Sequence, residues 1–321
     1  MLDSRPSIEE KFLKILKKHT AGEPQDAQTI WTDLSCTEIK KRLGALGENV
    51  GRKLIKKLLK KHGYKKRKIA KILKIGSSED RNEQFENIDK LREEYEKGLN
   101  PIISVDTKKK EPLGKLHRAG RVYSKEAIKV FDHDFSYLAE GVAIPHGIYD
   151  IKKNSAYINI GTSSDTAEFA CDSIKKWWNK QGQDDYPDAT SILVLVDSGG
   201  SNSCRHYVFK EQLQKLVNEI GIEIRIAHYP PYCSKWNPIE HRLFPHVTRS
   251  MQGISLMSHK MVKQLIQKTT TTTGLRVAAN IMRKTYKTGK KVAENFKDTM
   301  EIKFDDYLGK WNYCVVPIAA T

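Results

Sequence analysis

The chain reads as an α/β protein, a mixed sheet with helices, preceded by a strongly basic all-α region. Three observations predict this. The run Ser191-Ile-Leu-Val-Leu-Val-Asp197-Ser-Gly-Gly200 is unbroken apolar sequence closing on an acid and two glycines, the texture of a strand buried on both faces. From Pro101 onward, short β-branched runs alternate with longer segments of helical period, and that alternation is what an α/β fold requires. Between Lys40 and Lys74, 15 Lys and Arg residues face a single acid, Glu48, on segments that also carry helical period.

The 321 residues suffice for one large domain and a small one. A formal charge of +17 calls for a polyanionic partner, nucleic acid first and an acidic membrane surface second; charge speaks to association, not to fold. The five cysteines are scattered without a C-x-x-C pair, which argues for reduced thiols and against a disulfide framework or a zinc site. No apolar run reaches the about 18–20 residues that span a bilayer, and the first residues lack the apolar core of a signal peptide. The expectation is a soluble, cytoplasmic protein.

Taken in order, residues 7–19 predict an amphipathic helix. Ile8, Phe12, Ile15 and Leu16 share one face, and Ser7 with Glu10 has the spacing of a capping box. Residues 20–28 are polar, hold Gly22 and Pro24, and read as a linker, so residues 1–26 form an N-terminal helix and linker. Ser35 and Glu38 form a second capping box ahead of a helix carrying Ile39 and Leu43. Gly47 and Gly51 break it, and a third helix runs from Arg52 to His62. Two short helices around a glycine turn predict a helix-turn-helix within 27–76. Its second helix presents Arg52, Lys53, Lys56, Lys57, Lys60 and Lys61 to solvent, placed to meet phosphates and base edges of DNA. A lysine-rich solvated helix is the ordinary alternative, but solubility alone rarely needs such an imbalance. Residues 77–100 reverse the charge balance, with Phe85, Ile88, Leu91 and Tyr95 at helical spacing, and predict an acidic connecting helix.

Residues 101–321 form the predicted α/β domain. Ile102–Asp106 is a short strand ending in an acid, and Gly141–Gly161 predicts two strands with a turn near residues 152–154. A helix follows from Asp165 through Trp177 and Trp178 to Gly182, and then comes the strand ending at Asp197. A helix from about Asn202 to Gly221, a strand over 222–227 and a helix opened by Asn237-Pro238 complete the pattern. Residues 255–268 predict one more helix; 269–321 give no clear pattern.

This is the element order of an RNase H-like nuclease core, with Asp106, Asp197 and Glu240 at its strand ends and on its last helix. Three carboxylates without cysteine or histidine make a hard-oxygen site suited to Mg²⁺ or Mn²⁺. Two such ions about 4 Å apart can activate the attacking oxygen of a phosphodiester displacement and stabilise the leaving one. Gly199 and Gly200 would let a nucleic-acid backbone come close. Each acid also has an ordinary reading: Asp106 and Asp197 as strand-end residues bonding loop amides, Glu240 as the reciprocal member of a capping box with Asn237. Lys108, Lys109 and Lys110 follow Asp106 as candidate phosphate grips. Asp132-His133-Asp134 is a second metal-like cluster. His228, His241 and His246 lack zinc spacing and read as core or phosphate-contacting histidines, while Trp177 and Trp178 read as packing.

The motifs Val105-Asp-Thr-Lys-Lys-Lys-Glu111, Asp132-His-Asp-Phe135, Gly147-Ile-Tyr-Asp150 and Asp165-Thr-Ala-Glu-Phe-Ala170 resemble one family in unbroken order. So do Asp197-x-Gly-Gly-Ser-Asn202, Pro230-Pro-x-x-Ser-Lys-Trp-Asn237, Ile239-Glu-His-Arg-Leu-Phe244 and Trp311-Asn-Tyr313. The family is the Rhodopirellula DDE transposases of bacterial insertion sequences. The resemblance implies an RNase H-like catalytic domain that cleaves DNA at element ends with divalent metal and transfers strands to target DNA. It puts the family's acids on Asp106, Asp197 and Glu240, and implies a homo-oligomer on double-stranded DNA in a bacterial cytoplasm, at the nucleoid when bound. Family members usually carry a further helix-turn-helix ahead of this chain's first residue, which implies an N-terminally truncated copy. Tyr232-Cys233 stands where the family has Gly-Thr, Pro238 where it has lysine, and Ser203 where it has glycine. These changes surround the segment feeding Glu240 and keep a second reading open, a DNA-binding helix-turn-helix remnant without catalysis.

Overall fold

A computed structural model describes residues 6–23, 26–67, 80–133 and 135–318. The chain divides into two units, Met1–Leu73 and Lys74–Thr321.

The first unit contains α1 (Pro6–Lys17), β1 (Thr20–Glu23), β2 (Asp26–Thr32), α2 (Cys36–Ala45) and α3 (Arg52–Lys61). The predicted face of α1 is its buried face: Ile8, Phe12, Ile15 and Leu16 pack with Ile39 and Leu43 of α2 and Ile55 and Leu58 of α3. Burying each such side chain contributes about 1.5–3 kcal/mol. Ser35 caps α2 as its spacing predicts. Its hydroxyl accepts from the Glu38 amide at 3.3 Å, and Glu38 accepts from the Ser35 amide at 2.7 Å. Ser7 makes no such box, because α1 begins one residue earlier and the Ser7 hydroxyl reaches across to Glu48. Gly47, at φ +83°, supplies the left-handed residue that ends α2. The predicted linker is a correction. Residues 20–23 and 26–32 form an antiparallel strand pair, with Thr20 opposite Thr32 and Gly22 opposite Ile30, so this region is not all-α. The two strands pair with each other across positions far apart in the segment, which composition around Gly22 and Pro24 does not reveal.

The second unit begins with α4 (Arg81–Lys97), whose predicted start at 77–79 lies outside the described residues. Then come β3 (Ile102–Thr107), β4 (Glu111–Leu113), β5 (Gly141–Asp150), β6 (Ser155–Gly161), α5 (Ala167–Trp177), α6 (Gln183–Asp185) and β7 (Ser191–Val196). They are followed by α7 (Tyr207–Ile220), β8 (Glu223–His228), α8 (Pro238–Arg242), α9 (Phe244–Ser250), α10 (His259–Gln267), β9 (Arg276–Met282), α11 (Phe296–Thr299), β10 (Ile302–Phe304) and β11 (Asn312–Val315). The nine strands form one mixed sheet in the order β10-β11-β8-β7-β3-β5-β6-β9, with β4 paired to β5. Its central five, β6-β5-β3-β7-β8, keep the RNase H-like arrangement: β5 antiparallel to both neighbours, and β3, β7 and β8 mutually parallel.

Strand β7 is buried on both faces, as its unbroken apolar run predicts. Ile192, Val194 and Val196 face α5 and α7. Leu193 and Leu195 face the other way and pack with Ile88, Leu91 and Tyr95 of α4. The acidic helix is thus a layer of this unit, and its buried Gln84 exchanges amide hydrogen bonds with Asn312 of β11 at 2.7 and 3.0 Å. Helices α8, α9 and α10 cover β5 and β6. Trp177 and Trp178 lie in the core. Helix α7 starts at Tyr207 rather than near Asn202, because residues 200–202 make a tight 3-10 turn first. The stretch without clear sequence pattern supplies both sheet edges, β9 beside β6 and the β10–β11 pair beside β8. Among the described residues no helix is long and apolar enough to cross a membrane.

Candidate active site

Strands β3 and β7 run parallel with Val105 opposite Val196. The next residue of each chain segment is an acid, so Asp106 and Asp197 leave the same end of the sheet side by side. Glu240 stands in the first turn of α8, and two devices bring that helix to β3. The first is polar. Ser104, two residues before Asp106, donates its hydroxyl hydrogen bond to Asn237 and accepts one from the Ile239 amide at 2.9 Å. Asn237 in turn donates to the Val105 carbonyl at 3.2 Å. Asn237 makes no side-chain cap for α8, so the capping-box reading of Glu240 fails; the asparagine is spent on the sheet instead. The second device is space. Gly147 pairs with Asp106 across β5 and β3, and a Cβ there would stand 2.8 Å from Ile239 Cδ1 and 3.0 Å from Phe244 Cε1. The missing side chain is what lets α8 lie against the sheet.

The acids act on one another. Burial pushes the Asp106 carboxyl up to about 8, helped by the charge of Asp197 and a hydrogen bond with Glu240. Asp197 is raised by burial and by the charges of Glu240 and Asp165, against a hydrogen bond from the Gly199 amide. Desolvation and neighbouring charge both favour the protonated form of an acid, and here they reinforce each other. An all-oxygen donor set crowded in this way fits a divalent hard cation, whose charge would offset the repulsion. The side chains converge without forming a closed set: among the described residues no three His, Cys, Asp or Glu side chains are already spaced around a common ion position.

Asp165 is the acid that sequence reasoning missed as a site residue; it is read there as a helix start and as part of a family motif, with no role assigned. It sits just ahead of α5, whose cap is Thr166, and accepts from the Thr107 hydroxyl at 3.2 Å. Thr107 also bonds Nδ1 of His146 at 2.9 Å. With the Thr107 proton given to Asp165, Nδ1–H of His146 is the donor and its Nε2 stays bare, buried and without a partner. Burial holds this imidazole down at about 4, so it is neutral. His228 is likewise a core histidine, as predicted. Its Nδ1 lies 3.1 Å from the Asp197 carbonyl and its Nε2 3.0 Å from the Tyr313 hydroxyl, and burial pushes it down to about 3. A neutral ring donating to Asp197 and accepting from Tyr313 pins the tip of β7.

Other predicted residues fare differently. Arg52, Lys53, Lys56, Lys57 and Lys60 are exposed along α3, while Lys61 is ion-paired with Glu9 at 2.7 Å. Lys109 and Lys110 are exposed three and four residues after Asp106. Lys108 is a correction. It is buried in an ion pair with Glu111, which also takes Arg118 at 2.7 Å, so it is no free phosphate grip. Asp132 and His133 pair with each other on the surface at 3.3 Å and join no larger metal-binding cluster among the described residues; Asp134 lies outside the described residues. His241 is exposed, and His246 accepts from Arg249 at 2.7 Å.

The fold is similar to solved complexes of the Mos1 transposase. The paired-end complex with the left transposon end matches at 14% identity and a TM-score of 0.44, covering 80% of this chain and 68% of that one. The mariner paired end complex with Mn matches at 13% and 0.42, covering 80% and 69%; the strand transfer complex matches at 12% and 0.43, covering 80% and 68%. No curated protein matches significantly. The description that fits nearly the whole chain, residues 11–317, is the Rhodopirellula transposase DDE domain, and the chain belongs to that family.

Proposed function

We propose that this transposase cuts DNA strands at the ends of an insertion sequence and joins the freed 3′-hydroxyls to target DNA, using Asp106, Asp197 and Glu240. The observation that carries this reading is the convergence of the three acids at the ends of β3 and β7 and the start of α8, where burial and the neighbouring carboxylates raise the proton affinity of Asp106 and Asp197. Asp106 and Asp197 would hold Mg²⁺ or Mn²⁺, two ions being expected, and Glu240 would complete the second site or orient the nucleophile. When bound, such ions polarise the attacking oxygen and stabilise the leaving oxygen of a phosphodiester. In the first step water adds to phosphorus and the 3′-oxygen leaves; in the second that 3′-hydroxyl attacks a target phosphodiester, forming the new P–O bond as the target strand's own 3′-oxygen leaves. The neutral His228 and the Ser104–Asn237 bond hold the acids in place.

The exposed Arg52, Lys53, Lys56, Lys57 and Lys60 of α3 grip duplex DNA. Paired ends require more than one protomer, so the working form is a homo-oligomer on DNA, acting at the bacterial nucleoid. The departures at Tyr232, Cys233 and Pro238 do not favour an inactive remnant. Cys233 is buried, and Pro238 occupies the first turn of α8, where proline is at home. Incubated with Mg²⁺ or Mn²⁺, the protein should nick a duplex bearing the element's terminal repeats. Equal nicking by Asp197→Asn would contradict the assignment.

A further inference from the structure

A cavity of about 770 Å³ opens beside the candidate active site, lined among others by Ser198, Arg205, Lys210, Tyr232, Phe304 and Trp311. Ser198 follows Asp197 directly, and Tyr232 belongs to the segment leading to Glu240. The volume falls in the about 300–1,000 Å³ range of small-ligand sites, and no carboxylate lines it.

Its chemistry is cationic and aromatic. Arg205 is exposed and has no ion-pair partner among the described residues. Lys210 is 4% exposed at the cavity wall. Its ammonium donates to the Cys204 carbonyl and is otherwise faced by the rings of Tyr207, Phe304 and Tyr313 at 5.4, 5.8 and 5.0 Å. An ammonium has three N–H groups, so this one keeps donors to spend. The start of α7, a 14-residue helix, opens on the same cavity with no side-chain cap and no acid in its first turn, which leaves its positive end for an anion.

Tyr232 adds the second element. Its φ is +62°, a left-handed conformation ordinarily left to glycine. Cys233 beside it is buried, with its amide donating to the Pro230 carbonyl at 3.2 Å, and Tyr232 stands 75% exposed at the cavity mouth. A strained, exposed aromatic next to a candidate catalytic loop has the profile of a recognition residue.

We infer that this cavity is a subsite for one unpaired nucleotide of a DNA strand, its base stacked on Tyr232 and its phosphate held by Arg205, Lys210 and the start of α7. A base inside a duplex is stacked on both faces and cannot enter, so the subsite selects single-stranded character. The inference rests on the DNA-cutting reading above and identifies where a strand freed at the cut would lie.

Anisotropy of a fluorescein-labelled oligothymidylate and of a labelled duplex, both in EDTA so that nothing is cut, separates the outcomes. Tyr232→Gly should weaken single-strand binding by about tenfold, one stacking interaction, and leave duplex binding unchanged. Its melting temperature should be no lower than wild type, since glycine relieves the left-handed backbone. Tyr232→Phe should bind like wild type, and Arg205→Gln should weaken single-strand binding selectively. The subsite is overturned if Tyr232→Gly binds the single strand as tightly as wild type, if it loses both DNAs equally, or if wild type does not bind the single strand. Tyr232-dependent strand binding without any duplex binding would support the subsite and count against the transposition reading instead.

Discussion

The hydroxyl of Ser104 and the side-chain carbonyl of Asn237 are hydrogen-bonded to each other with both residues wholly buried. That bond joins the strand carrying Asp106 to the residue that opens the helix carrying Glu240. Two acids 134 positions apart in sequence are thereby held by a contact two residues from one and three from the other.

Removing either partner strands a buried polar group. Asn237→Ala would leave the Ser104 O–H without its acceptor and take one donor from the Val105 carbonyl, and should destabilise the protein by about 1–3 kcal/mol. Nicking should fall more than the stability loss explains, because α8 loses its tie to β3. Ser104→Ala should behave similarly, and the double variant should be less than additive. Denaturant melts with parallel nicking assays check this; additive losses would mean the two residues act separately.

Gly147 should tolerate no side chain. Gly147→Ala drives a methyl into Ile239 and Phe244, and overpacking of this kind costs about 1–3 kcal/mol. The expected variant is folded by circular dichroism, modestly less stable, and sharply reduced in metal-dependent nicking as α8 shifts outward. Full activity would mean that the distance of α8 from β3 does not matter.

The buried histidines give a pH dependence. Their folded-state values, about 3 for His228 and about 4 for His146, lie below the ordinary 6.5. As pH falls below 6.5 the unfolded chain takes up protons that the folded chain refuses, so stability declines from about pH 6.5 toward about pH 3. Replacing His228 by glutamine should flatten part of that decline. Thermal melts at pH 7 and pH 5 measure it, and an unchanged slope would mean that His228 is not the titrating group.

DNA affinity should fall steeply with salt, since each neutralised phosphate contributes about −0.9 to the slope of log affinity against log salt. Lys56→Ala should weaken duplex binding and reduce the slope by about one. Lys61→Ala should do less, because Glu9 already pairs with Lys61. Filter binding across a salt series decides, and a flat wild-type profile would remove α3 as the DNA grip.

Local chemistry was legible in the sequence, and non-local chemistry was not. Strand β7 announces itself because both its faces are apolar, and α2 because Ser35 and Glu38 are three residues apart. The pair β10 and β11, three and four residues long, is too short to carry a period, and β1–β2 hid in a segment whose Gly22 and Pro24 look like a linker. Within the candidate site, the three acids stand out at the ends of recognisable elements. Asp165 does not, because its role depends on Thr107 and His146 arriving from other strands. Nor does Lys108, whose sequence neighbours Lys109 and Lys110 suggest solvent while Glu111 and Arg118 draw it into a buried pair.

The central claim is that Asp106, Asp197 and Glu240 form one divalent-cation site. Depletion of the free Mn²⁺ paramagnetic resonance signal by the purified chain tests it without DNA or turnover. Wild type should bind Mn²⁺, more tightly as pH rises through about 8, where Asp106 gives up its proton. Asp106→Asn, Asp197→Asn and Glu240→Gln should each weaken that binding while remaining folded. Wild-type protein that leaves the Mn²⁺ signal untouched at that pH, or three variants that bind as wild type does, would contradict the account.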